Sequence, residues 1–507
     1  MKLNPFHGLP NPREVWAWGM FDFANQSFTL LIITLLFSVY VTRVVVPQPV
    51  LSPEVAAQVE QIRGNTLERA QAPIEVRDAL DRVQAAEARG KFAWSLMQGG
   101  SLLIVVLVSP FLGAWADIRG KRKALLMGTG VACGVLTCSL GFVGPGMVIL
   151  AACLYVPANL CYQVGENFLA SFLPDVSTRR TIGRVSAIGW TMGYVGALSL
   201  LAIVVTAMLA LGLKGPSYWR AFFVFAGVWF LLGIIAPGLV LRRDSAPKSK
   251  EARPLREAFR RVRRTLAGAG EFSQLRSFLI AFLVYAFGVQ TFIAFAAIIA
   301  QDFNFTDVLL VAFTAQLTIT AGIAAVVTST FQDRVGAKLT VMFYLGVWVV
   351  SCLAMVAMSM IWPHGGPQWP VWLVGNGLGF ALGGIGTASR SMVGRLTPSH
   401  RTAEFFGLWG MVYKFAGAVG VLGFGAVARF AGETASLVLL ACFFGGGLLL
   451  LLRVKTCVQS TPVAPNAGML PSCKPWPKRA ARSQHGDTDR AAMRETTRDH
   501  WGCVLLC

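Results

Sequence analysis

The stretch Gly113-Ala114-Trp115-Ala116-Asp117-Ile118-Arg119-Gly120-Lys121-Arg122-Lys123 lies between two long apolar runs, so it reads as a short, strongly basic loop joining two membrane helices. A weaker copy, Phe331-Gln332-Asp333-Arg334-Val335-Gly336-Ala337-Lys338, follows 216 residues later, counted from Asp117 to Asp333, again between apolar runs. In the first copy Gly113, Asp117, Gly120, Lys121 and Arg122 stand at the spacing G-x-x-x-D-x-x-G-[RK]-[RK]. The second copy keeps Asp333, Arg334, Gly336 and Lys338 but has Ser329 where the first glycine would be. A motif repeated at that distance implies a chain built as two related halves.

Composition agrees with a membrane setting. Of 507 residues, 55% are hydrophobic and 14% charged, whereas soluble domains carry about 25% charged residues. The net charge of +20 comes from basic residues clustered in short loops beside apolar runs. That is the positive-inside pattern and not a nucleic-acid-binding face. Six of the ten cysteines fall in apolar runs, and no Cys/His spacing suits a metal ion. No phosphate-cradling G-x-x-x-x-G-K-[ST] occurs, and the five histidines sit in loops and termini. Neither an enzyme nor a bound cofactor is expected.

A spanning helix needs about 20 mostly apolar residues, and twelve runs qualify. They are α1 (15–44), α2 (92–115), α3 (124–143), α4 (147–172), α5 (184–212) and α6 (218–241), then α7 (276–300), α8 (306–331), α9 (338–361), α10 (371–395), α11 (404–429) and α12 (434–453). Basic residues gather between α2 and α3, between α4 and α5 (Arg179, Arg180, Arg184), and in the 242–275 connector. The alternate loops 144–146 and 364–370 carry no Lys or Arg. Both termini are therefore expected in the cytoplasm. The expected fold class is all-α and integral to the membrane, with twelve helices in two six-helix halves, 15–241 and 276–453.

Four segments fall outside the spans. Residues 1–14 form a short cytoplasmic N-terminus. Residues 46–91 are expected as a long non-cytoplasmic loop, with one or two polar helices interrupted at Pro73. The 242–275 connector has a basic amphipathic stretch suited to anionic lipid headgroups. The tail 454–507 is rich in Pro, Arg and Thr without periodicity and is expected to be disordered.

Ionisable residues inside apolar spans are costly and mark function by default. Four stand out: Asp22 in α1, Glu166 in α4, Arg390 in α10 and Lys414 in α11. At 1.5 Å per residue, Asp22, Glu166 and Arg390 lie about 8 to 10 Å from the cytoplasmic face, and Lys414 about 15 Å. Asp22, Asn25, Gln26 and Thr29 share one face of α1; Asn159, Tyr162, Gln163, Glu166 and Asn167 repeat the pattern in α4. Polar stripes on spanning helices face water or protein. The charges suit either a solute cavity or an ion-pair latch. Gly189, Gly193 and Gly196 in α5 suit close helix packing. Asp117 is placed to accept bonds from a helix end or an arginine.

The paired loops resemble the motif between helices 2 and 3 of the major facilitator superfamily, with Ile118 replacing a usual basic residue. That resemblance implies that α1, α4, α7 and α10 line a central cavity, with α2, α5, α8 and α11 on its flanks. Within the superfamily, Trp18 to Phe28 (with D-F-A-N), Asn167 to Pro174, Gly183 to Gly196 (with G-R-V-S-A-x-G-W), Ser389-Arg390-Ser391 and Glu404 to Leu408 resemble the autophagy-related vacuolar amino-acid effluxers and their bacterial relatives. Phe21 departs from the Tyr common there. The match runs over residues 13 to 453 and implies movement of an amino acid or related small solute.

The expected protein is thus a secondary transporter, a monomer in a bacterial cytoplasmic membrane, working by alternating access on a proton or other ion gradient. Asp22, Asn25, Gln26, Tyr162, Glu166, Arg390 and Lys414 are the candidate substrate or coupling residues. Arg390 or Lys414 would hold a carboxylate, and Asp22 an ammonium. Glu166 would be the proton carrier. Gly113, Asp117, Gly120, Lys121, Arg122, Asp333, Arg334 and Gly336 form the gating motif. Export of amphiphiles or drugs, and a non-transporting receptor or scaffold, are the alternative readings.

Overall fold

Long apolar runs can satisfy their backbone in hydrocarbon only as helices, and the computed structural model is helical through all twelve runs. It describes residues 6–62, 71–178, 181–213, 215–242, 273–303, 305, 307–362, 367–397 and 402–454. Most of the connector, the tail from 455, Arg179 and Arg180 lie outside the described residues, as do the side chains of Asp117 and Asp333. The spans are α1 Pro12–Val45, α2 Ile74–Arg119, α3 Arg122–Ser139, α4 Val148–Ser171, α5 Ile182–Ala210 and α6 Pro216–Gly233, which continues as Ile235–Val240. The second six are α7 Ser273–Asp302, α8 Asp307–Val335, α9 Ala337–Ile361, α10 Trp369–Leu396, α11 Thr402–Phe430 and α12 Glu433–Leu452.

The same packing scheme serves both halves. In the first, α1 packs on α5, α2 and α3 on α4, and α3 on α6. In the second, α7 packs on α11, α8 and α9 on α10, and α9 on α12. Buried residues make up 78% of the apolar window of α1 and 67% of that of α7, against 33% to 50% in the other spans, so these two helices are innermost. The halves meet most extensively where α2 runs along α11. Small residues permit that approach: a Cβ on Gly425 would stand 2.1 Å from the Ser95 hydroxyl, and one on Gly99 would meet Leu422 at 2.6 Å.

Two expectations change. The helix α2 begins at Ile74 and not near residue 92, so the latter part of the expected 46–91 loop belongs to it. Its 46 residues extend about 69 Å, twice the about 30 Å of hydrocarbon. The excess stands outside the bilayer and pairs with the helix Pro53–Ile62. Val59, Ile62, Ala72, Val76, Ala79 and Leu80 make a small core of their own there. Pro73 directly precedes α2, as its missing N–H permits. The second change is in α1, which switches to π-helix over Ser27–Leu35 and again over Val41–Val45. Such wide turns occur often at functional sites, and here the first begins within the polar stripe and includes Thr29.

The basic loops are helix-end clamps. Gly120 (φ +57°) and Gly336 (φ +95°) occupy the left-handed region that lets each chain reverse between helices. Lys123 donates to the Leu241 carbonyl at the end of α6. In the second half, Lys338 donates to the Leu452 and Val454 carbonyls at the end of α12, at 3.1 and 2.6 Å. Each lysine thus meets the negative end of the last helix of its half. Arg122 bonds the Ser171 carbonyl at 3.1 Å and Asp175 at 2.8 Å, with its guanidinium 5.3 Å from the Phe172 ring. Lys121 lies 5.9 Å from the Trp115 ring, Arg334 is exposed, and a Cβ on Gly113 would meet nothing within 4 Å.

Replacing Lys338 by Met should therefore cost about 1–2 kcal/mol, read as a lower unfolding midpoint of the purified protein in detergent. Lys338→Arg, which can still reach the carbonyls, should recover most of it.

Candidate functional site

The polar stripe of α1 is held between α4 and α5. Three glycines of α5 let α1 lie against it: a Cβ on Gly189 would strike the Trp18 ring at 2.4 Å and Asp22 at 2.9 Å. One on Gly193 would meet Gln26 at 3.4 Å, and one on Gly196 the Phe23 carbonyl at 2.4 Å. On the other side, the Trp18 indole N–H donates to the Leu169 carbonyl of α4 at 2.9 Å.

Between these contacts, α1 and α4 join side chain to side chain. Asn25 Nδ2 donates to the Glu166 carboxylate, and Thr29 donates to the Tyr162 hydroxyl at 2.8 Å. Asn25 is 1% exposed and Glu166 8%. Asp22 stands three residues before Asn25 on the same face of α1. The Oδ1 atom of Asn25 is buried without a hydrogen-bond partner, which leaves an acceptor beside two carboxylates. Nearer the opposite face, Asn159 donates to Gln98 and Ser101 of α2 at 2.9 and 2.6 Å, and Tyr155 bonds Gln98.

Both bases of the second half reach the first half, at different helices. Lys414 Nζ donates to the Gln163 carbonyl at 3.0 Å and to Asn167 Oδ1 at 2.9 Å, bracketing Glu166 along α4. Asn167 in turn donates to Ser109 of α2 at 3.1 Å. Arg390 lies over the Trp190 ring of α5, 5.1 Å from its centre. Asp22, Asn25, Glu166 and Lys414 are thus gathered around α4, whereas Arg390 is placed on α5. On its own half, the neighbouring Ser389 bonds Tyr285 of α7 at 2.7 Å. Among the described residues, no His/Cys/Asp/Glu group is arranged to hold a metal ion.

Three functional candidates escape a search for charges within apolar runs. Asp302 and Glu433 sit at helix ends and Lys91 just ahead of the apolar part of α2, where charges look like ordinary loop residues, yet they converge. Lys91 Nζ lies 2.8 Å from both Asp302 oxygens and also bonds Glu433. Only their shared position at the ends opposite the basic loops could have hinted at this.

The family model described as "Vacuole effluxer Atg22 like" matches residues 10–457. The chain belongs to this Atg22-like family. An uncharacterized major-facilitator-type transporter of Bacillus subtilis (strain 168), YxiO, is 24% identical over 465 residues, covering 90% of this chain and 97% of that one. Among solved structures, a point mutant of the nucleoside transporter NupG superposes with a TM-score of 0.59 at 12% identity, over 87% of this chain and 98% of that one. A POT family transporter in complex with a thioalcohol-conjugated peptide gives 0.59 at 13% identity, over 89% and 98%. The protein is therefore a multi-pass membrane transporter with the major facilitator fold, and not an enzyme.

The Asn25–Glu166 contact makes a stability test for this Atg22-like transporter. Asn25→Val removes one donor from a buried carboxylate and should cost about 1–3 kcal/mol. A lowered unfolding midpoint, restored in part by pairing Asn25→Val with Glu166→Leu, is the expected result.

Proposed function

We propose that the transporter moves a small zwitterion, an amino acid or close relative, by alternating access of its two halves. The observation that carries this reading is the division of charge between them. The first half offers two carboxylates and the unbonded acceptor of Asn25; the second offers Arg390 and Lys414. An ammonium answers the first set and a carboxylate the second. A solute carrying both would draw the halves together, because charge-assisted bonds are strong where water is excluded.

In this reading Asp22 and the Asn25 carbonyl receive the ammonium, with Gln26 and Tyr162 flanking it. Arg390 takes the carboxylate, with Lys414 leaving α4 to join it as the site opens. Glu166 carries the coupling proton, as intramembrane carboxyl groups do in proton relays. The family's description as vacuole effluxers supports export, and the Bacillus relative supports a bacterial cytoplasmic membrane. Both termini face the cytoplasm, the connector lies on anionic headgroups, and a single chain is the working unit.

The test is flux of labelled amino acids in proteoliposomes under an imposed proton gradient. Gradient-stimulated flux of one class should fall by about two orders of magnitude in Asp22→Asn or Arg390→Ala, because each removes a bond to a charged solute group of several kcal/mol. Glu166→Gln should keep solute exchange but lose the response to the gradient. Full gradient-driven uptake by Glu166→Gln would sink proton coupling through that residue. Competition by hydrophobic cations but by no amino acid would move the substrate to an amphiphile.

A further inference from the structure

We infer that Lys91, Asp302 and Glu433 form the latch that holds the transporter shut on the face opposite its basic loops. Lys91 belongs to α2 of the first half, Asp302 ends α7 and Glu433 begins α12 of the second. One ammonium thus ties two helices of the opposing half. Its side chain is 5% exposed, that of Asp302 20% and that of Glu433 49%. One turn before Lys91, Glu87 pairs with Arg43 of α1 at 3.5 Å, so charges from four helices meet here.

A latch, as distinct from a fixed staple, follows from where the triad sits. If the halves rock, every contact between them on this face breaks once in each cycle. The triad caps the α2–α11 seam, where Ser95 packs on Gly425 one turn below Lys91. Beneath it lies a cavity of about 20 Å³ lined by Lys91, Asp302, Glu433, Ser436, Trp362 and Phe424. That volume holds about one water molecule, so the triad closes over tightly packed side chains.

The three groups differ in strength for a physical reason. Asp302 stands in the last turn of α7, where the helix dipole opposes a negative charge; Glu433 stands in the first turn of α12, where the dipole favours one. Asp302 therefore depends on Lys91 more than Glu433 does, and Glu433 is also screened by water. Lys91 serves both carboxylates, so its loss leaves two like charges facing each other.

The inference rests on the alternating-access reading, but its test needs no solute. Ser436→Cys, buried in the cavity wall, is placed in the full chain in nanodiscs, where a charged thiol reagent reaches both faces. The unsubstituted chain supplies the background from its own cysteines. Lys91→Met should label about tenfold faster or more, since a buried ion pair that loses one partner is strongly destabilised. Asp302→Asn should follow, and Glu433→Gln should change least. Exchanging the charges, as Lys91→Asp with Asp302→Lys, should return labelling toward the slow rate. Asp302→Asn keeps Lys91 paired with Glu433 and so guards against misfolding of the lysine variant. Unchanged labelling in Asp302→Asn and Lys91→Met would overturn the latch while leaving the solute site standing. Faster labelling without amino-acid flux would do the reverse.

Discussion

A charge placed within hydrocarbon has no water to answer it, so each one dictates which helices must touch. Lys414 crosses from α11 to the polar face of α4, and Arg390 crosses from α10 to the indole of α5. Lys91 crosses from α2 to the ends of α7 and α12. All three join the halves. Contacts within each half are mostly apolar or made through glycine and hydroxyl groups. Attraction between apolar surfaces contributes little in lipid, so the charged contacts are the ones able to choose between one arrangement of the halves and another.

This division suits a transporter. Each half is a rigid packing unit: its six helices repeat one scheme, and its final helix is clamped by a lysine from the start of its third. Between the halves runs the α2–α11 seam, with Ser95, Gly99, Gly417 and Gly425 bringing the backbones close. Lys91 lies toward one end of that seam and Lys414 toward the other. Such a seam can act as a hinge line, because small side chains slide with few interlocking contacts while charges at either end set the balance.

The proposed solute site combines fixed and movable parts. Asp22, Asn25 and Glu166 are locked in one half by α5 glycines and by bonds between α1 and α4. Preorganised acceptors cost nothing to arrange when a cation arrives. The bases belong to the other half and travel with it. The π-turns of α1 lie between the acceptor cluster and the opposite face, where a wide, less regular backbone is the easiest place for α1 to bend.

Much of this was legible in the residues alone. Twelve apolar runs, a duplicated basic loop and four intramembrane charges follow from composition and spacing, because hydrocarbon admits only helices and penalises every stray charge. The α5 glycines declared themselves as packing positions by their spacing. Residues 74–91 did not declare themselves as part of α2, since polar and apolar helix share one backbone pattern and only length joins them. The partners of Lys414 and Arg390 could not be read either: spacing shows which face a residue occupies, not which helix covers it. The Lys91 latch was least visible of all. Its three residues lie far apart in the chain and sit where charge is ordinary; only the packing of α2, α7 and α12 around one point makes them a single group, because burial of the Lys91 ammonium removes the water that would otherwise have satisfied it.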